Sequence, residues 1–231
     1  HNIAMGYEAM KVHTSGLRNI AIGHQAMDDN DVGAAAKSSE DNVFIGFRAA
    51  SGTYTDVKVE NNVAIGSYTM GAALAGANNN TIVGYNTAGT LTSASGSVFL
   101  GNNAGGTITT GNHNIAIGLN AINGGTTTGD NNIAIGTQAM DAVTSGHDNI
   151  GIGHEAHTRL TTGIHNIAMG FNAHAQNAVT GNYNVALGFF ALADESSGNN
   201  NVAIGYTAGR DQIGVSGSVF IGENAGHSVS T

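Results

Sequence analysis

The chain has 231 residues, of which 35 are glycine, with no proline, cysteine or tryptophan and a formal net charge of -9. The absence of cysteine excludes disulfides and thiolate metal sites. The acidic balance argues against nucleic acid and anionic membranes as partners, since both select Lys and Arg, and no stretch approaches the ~20 apolar residues of a membrane-spanning helix.

The first unit of the chain is Asn2-Ile3-Ala4-Met5-Gly6, and the same pattern returns as Asn19-Ile20-Ala21-Ile22-Gly23 and, more loosely, as Asn42-Val43-Phe44-Ile45-Gly46. Thirteen such motifs follow one another, with glycines at 6, 23, 46, 66, 84, 101, 118, 136, 153, 170, 188, 205 and 222. Most intervals are 17 or 18 residues, and only the second and third are longer, at 23 and 20. A period sustained from end to end is the signature of a repeat architecture whose units bury surface by stacking. A helical repeat is not expected, because its units need roughly 30 residues or more and tolerate glycine poorly. The long intervals place their extra residues in return loops, 28–41 and 51–61, where Asp28, Glu40, Asp41, Asp56, Lys58 and Glu60 concentrate charge. Insertions at one register project from one edge of a stack, as solvated loops or as a binding edge.

Each unit reads as a short strand, a bend, a second extended piece and a polar return loop. Three residues and one residue before the motif glycine stand Ile, Val, Met or Leu, with Thr81 the exception. Being two apart, they share one side of a strand and are expected to form the core face. Four before the glycine is Asn in eleven units, with Ser97 and Ser218 in the others. Such a row can hydrogen-bond from layer to layer. The glycine permits a sharp bend, and the Thr, Ser, Asn and Gly that follow are turn chemistry. The reading is an all-β chain: a parallel β-solenoid, or β-roll, of about thirteen 17-residue coils, making one repeat domain over 1–231. At ~4.8 Å per coil it would form a rod of roughly 60 Å.

Two before the glycine the side chain should then point away from the coil interior, where a monomer would place polar residues. The position holds Ala4, Ala21, Phe44, Ala64, Ile82, Phe99, Ala116, Ala134, Gly151, Ala168, Ala186, Ala203 and Phe220. Four after the glycine, Met10, Met27, Met70, Ile122, Met140 and Leu192 accompany Ala, whereas Ala50, Gly105 and Gly226 accompany Phe and Ala88 accompanies Ile82. Large thus goes with small, the exception being Ala203 with Gly209. Constant summed volume is what close packing asks of side chains sharing one compartment. The expectation is a second core between chains, closed by symmetry, with three rods about an axis as the natural arrangement.

The motif Asn-x-Val/Ile-Ala-Ile-Gly, as in Asn200-Asn201-Val202-Ala203-Ile204-Gly205-Tyr206, resembles the head repeats of YadA-like trimeric autotransporter adhesins and the repeat shafts of bacteriophage tail fibres. The resemblance spans the whole chain. It implies a left-handed, homotrimeric β-roll on a virion or cell surface, serving attachment, although the adhesin heads repeat about every 14 residues. The chain opens and stops close to a motif and is expected to be a segment of a longer fibre protein.

Three groups of residues are candidate sites. His157 and His174 share one register in neighbouring coils and should stack about 5 Å apart. Facing a threefold axis, they could hold a metal ion; otherwise they are polar residues in an apolar seam. Phe171, Phe189 and Tyr206 follow successive motif glycines and could form a ladder facing a glycan, or could simply cover the corner glycines and pack on one another. His154-Glu155-Ala156-His157 lacks the spacing of a zinc-protease helix, and no Ser/His/Asp set or phosphate loop stands out, so no enzyme and no organic cofactor are expected. The functional expectation is a trimeric fibre shaft or head presenting loops or a tip to a cell-surface glycan or protein receptor. The alternatives are a monomeric ice- or polysaccharide-binding solenoid, or the subunit of a self-polymerising extracellular filament.

Overall fold

The computed structural model describes residues 1–13, 16–28, 39–54, 57–72 and 74–227. It is an all-β parallel solenoid of thirteen three-residue strands that follow chain order. Contacts group the chain into two compact units, His1–Asn114 and Ile115–Thr231. The first holds β1 (Ile3–Met5), β2 (Ile20–Ile22), β3 (Val43–Ile45), β4 (Val63–Ile65), β5 (Thr81–Val83) and β6 (Val98–Leu100). The second holds β7 (Ile115–Ile117), β8 (Ile133–Ile135), β9 (Ile150–Ile152), β10 (Ile167–Met169), β11 (Val185–Leu187), β12 (Val202–Ile204) and β13 (Val219–Ile221). Pairing sets each repeat position on its counterpart: Ala116 lies against Ala134, Ala168 against Ala186 and Phe44 against Ala64.

Two devices hold the coils in register. Along the row four before the motif glycine, Asn166 Oδ1 accepts from Asn184 N at 2.9 Å and Asn184 Nδ2 at 3.1 Å, while Asn166 Nδ2 donates to Asn149 Oδ1 and to Gly181 O. The same amide-on-amide chain runs Asn19–Asn42–Asn62–Asn80 in the first unit. These side chains are all but inaccessible to solvent, and each ties its strand to the next coil and to the return loop. The second device is the motif glycine. Gly136 has φ +132°, and a Cβ there would sit 2.4 Å from Gly153 O, so both the dihedral and the stacking of bend on bend exclude a side chain.

The alternation along each strand is as expected, but its sense is the reverse. Ala21, Phe44, Ala64, Ile82, Phe99, Ala116, Ala134, Ala168, Ala186 and Ala203 are fully buried within their own chain, as are Met27, Met70, Ile122, Met140 and Leu192. They fill the interior of the coil and do not wait for a second chain. Phe220 is partly buried against the interior cluster; in the β1 coil Ala4 shares the strand register of Ala21 and is exposed, and Met10, at the bend position, is half-buried. The outward residues are instead the Ile and Val of the motif, half-buried or exposed in every strand. The reason is the width of the coil. Its opposite wall, carrying Ala121, Ala139 or Ala173, stands so close that the strand can contribute only Ala unless the bend residue shrinks.

The trade of volume between strand and bend is therefore real, and it operates inside the coil. A Cβ on Gly105 would lie 2.8 Å from the Phe99 ring, and one on Gly226 would overlap Phe220. The apparent exception is resolved by the next coil, because Gly209 is filled by Phe220, 2.7 Å from its Cβ position. In the same way Gly151 makes room for Met140 of the preceding coil.

Candidate interaction surface

The outward face of each unit is an apolar stripe two residues wide. The first unit presents pairs such as Ile20 and Ile22 and Val63 and Ile65, and the second presents Ile133 and Ile135 and Ile150 and Ile152. Thr81 is the single polar member. β-Branched residues suit this position, because their rows interlock on a pleated surface. Exposure reaches 42% at Met169 and 38% at Ile204 in the body of the second unit. A contiguous apolar stripe of this kind, rimmed by polar residues, marks an interaction surface.

One edge of the stripe is aromatic. In the second unit His154, Phe171, Phe189 and Tyr206 stack in succession, centroids 5.1–5.3 Å apart and planes within 14° of parallel. Phe190 braces this row at 4.6 Å from Phe189, with the Arg210 guanidinium 4.9 Å from the centroid of the Phe190 ring. In the first unit the corresponding row is Tyr7, His24 and Phe47, continued edge-on by Tyr68 and Tyr85. The rings of Phe171 and Phe189 thus have ring neighbours on both sides within the row.

The other edge is polar. In the first unit Arg18 donates to Asp41 at 2.6 Å and to Glu40 at 2.8 Å, and Lys58 lies 3.1 Å from Glu60. The Asp41 carboxyl is held below the usual carboxylate range by its hydrogen bond to Arg18. In the second unit the edge is made by His147, Asp148, His165 and Tyr183. His147 Nδ1 is 2.7 Å from Asp148 Oδ2, and His165 stacks on Tyr183 at 5.0 Å. His147 keeps the Asp148 carboxyl low. An apolar centre with a polar rim is the anatomy of an interaction surface.

The remaining sequence candidates lie elsewhere. His157 and His174 do stack, their rings 5.0 Å apart, but both are fully buried inside their own coil. A metal ion shared by three chains cannot reach them, and that expectation is corrected by the same inversion of faces. Among the described residues no group of three or more His, Cys, Asp or Glu is placed to hold a metal ion. His154 and His157 diverge, one exposed on the ladder and the other interior. Of the two charged return loops, 29–38 and 55–56 lie outside the described residues. Among the described residues no helix is long and apolar enough to cross a membrane.

Sequence reasoning missed the stripe itself and the backbone that frames it. Positive φ recurs at non-glycine residues five before and two and four after the motif glycine, as at Asn131, Gln138 and Met140. Many of these residues, such as Arg18, Met27 and Tyr183, are not types that announce a left-handed conformation, so only the recurrence of the register could have revealed it.

No family model, curated protein or solved structure matches this chain.

Proposed function

We propose that this chain is a structural attachment protein: the solenoid portion of a homo-oligomeric fibre, of a bacteriophage tail or a bacterial surface, in which copies pack through the outward Ile/Val stripe. The single observation that carries the reading is that stripe, since an ordinary monomer would place polar residues there. The resemblance of the repeat to trimeric adhesin heads and phage fibre shafts favours three copies about an axis. The polar edge then becomes the rim of the contact, and the return loops face outward toward a cell-surface glycan or protein receptor. The role is mechanical, and no step of catalysis is assigned to it.

The test is native mass measurement or sedimentation of the chain and of Ile135→Lys. Ile135 is half-buried on the outward side of β8, so lysine there leaves the interior intact. The expected result is an oligomer for the parent and a folded monomer for the variant, with unchanged far-UV dichroism. A parent chain that stays monomeric at tens of micromolar overturns the proposal and returns the stripe to a monomeric, ligand-binding solenoid. Ala116→Asp is uninformative about assembly, because Ala116 is interior and the charge would disrupt the coil itself.

A further inference from the structure

The bend column of the second unit reads Met140, His157, His174, Leu192, so two imidazoles replace hydrophobic residues in the middle of the interior. His157 Nε2 lies 3.0 Å from His174 Nδ1, which places one proton between them. By hydrogen-bond geometry their other nitrogens, His157 Nδ1 and His174 Nε2, have no partner; the Ile150 backbone favours the charged form of His157, but less than burial and His174 oppose it. Two neutral rings satisfy this geometry, one donating and the other accepting. An added proton either sets donor against donor across the 3.0 Å contact or leaves a cation unpaired in an apolar interior, and both are costly.

The charged groups nearby do not relieve this. Glu195 is the only buried carboxylate among the described residues, and its oxygens are already engaged. They accept from the backbone amides of Ser196, Ser197, Gly198, Gly214 and Val215. Asp141, Glu155, Arg159 and Asp194 lie on the outer side of the same bends, and His154 stands on the exposed ladder.

We propose that the His157–His174 pair is an acid-operated weak point, whose protonation opens the coils of β9 to β11 while the first unit stays closed. This does not rest on the assembly proposed above. Burial holds His174 down at about 4, against the pull of Glu195, and burial and then His174 hold His157 well below the ordinary imidazole value. The sign follows from linkage. Well above pH ~6.5 both rings are neutral folded or unfolded and have no effect; as pH falls through that value, the unfolded chain takes up protons that the folded chain refuses, so stability is lost progressively toward pH ~4. Among the described residues the first unit has no fully buried histidine.

The test is amide hydrogen exchange on the full chain between pH 6.5 and 5, corrected for the intrinsic pH dependence of exchange. Exchange over 150–187 should accelerate about tenfold or more per buried ring, while peptides from 39–114 stay within about twofold. His157→Met with His174→Leu, the residues of the adjoining coils, should remove the acceleration. Equal acceleration in both units, or its persistence in the double variant, overturns the proposal. Should the variant fail to fold, the regional profile of the parent chain decides alone.

Discussion

In the first unit Phe44, Ile82 and Phe99 reach into three coils from the strand and meet Ala50, Ala88 and Gly105 on the bend, while Met27 and Met70 fill two others from the bend. In the second unit five successive coils reverse this, with Ile122, Met140, His157, His174 and Leu192 filling from the bend against Ala or Gly on the strand. The frame is the same in both: three-residue parallel strands, an amide row and glycine bends. The difference teaches that the coil fixes a volume and not the wall that supplies it. Filling from the bend carries a backbone cost, because that position has positive φ in both units, 58° at Met140 and 51° at Ala50. Where the strand supplies a Phe, glycine can take the strained position, as at Gly105 and Gly226.

The largest expected effect tests whether the frame is indeed shared. Gly46→Ala in the first unit and Gly136→Ala in the second each place a Cβ 2.4 Å from the carbonyl oxygen of the next motif glycine, at φ of +141° and +132°. Each should cost more than about 4 kcal/mol in urea unfolding, the strain alone accounting for about 1–3. Gly222→Ala has the strain, at φ +118°, and no neighbour within 4 Å, so it should cost only the smaller amount. If Gly136→Ala were as mild as Gly222→Ala, stacking of bend on bend would not be what fixes the glycine.

The next effect tests the interchange of walls. Phe99→Ala should lose about 3–5 kcal/mol through an unfilled cavity. Adding Gly105→Met to Phe99→Ala converts the coil to the second unit's pattern and should recover more than half of that loss, a coupling readable from a double-mutant cycle. Gly105→Met alone should be destabilising, since its Cβ would already crowd the Phe99 ring at 2.8 Å. Simple additivity would break the claim that the two residues share one compartment.

The period, the strand positions, the parallel stacking, the role of the motif glycine and the amide row were all legible in the sequence. Each leaves a mark at fixed spacing. Which side of the strand faces in was not legible from alternation alone, because a period of two is unchanged when the faces are exchanged. Size misled as well: Ile115 and Ile117 look like core beside Ala116, but a coil this thin admits the alanine and turns the isoleucines outward. The pairing of large with small residues was visible, yet its one exception, Ala203 with Gly209, needed Phe220 from the following coil. His157 and His174 were correctly placed one above the other and wrongly aimed, for the same reason.

The smallest effect concerns the one interior break in the first unit's amide row. Asn166→Ala removes bonds to Asn149, Gly181 and Asn184 and should cost about 2–4 kcal/mol, since buried partners are left unsatisfied. Ser97 stands at the same register as Asn166, and its row is thinner. Its hydroxyl accepts from Asn114 N at 3.1 Å, and its own backbone N–H is received by Asn80 Oδ1 at 3.0 Å. Serine has no amide to reach the return loop as Asn80 reaches Ala94 O at 2.9 Å. Fourteen residues separate that donor from its acceptor, as they do Asn149 from Gly163 and Asn184 from Gly198. The same offset from Ser97 leads to Gly111, which is buried. Ser97→Asn should therefore restore both the layer-to-layer bond and the tie to the loop, raising stability by about 0.5–1.5 kcal/mol. A gain in urea midpoint without change in slope is the expected reading. A loss would mean that the Phe99 coil, filled from its strand, has no room for the amide that every coil of the second unit before Ser218 carries.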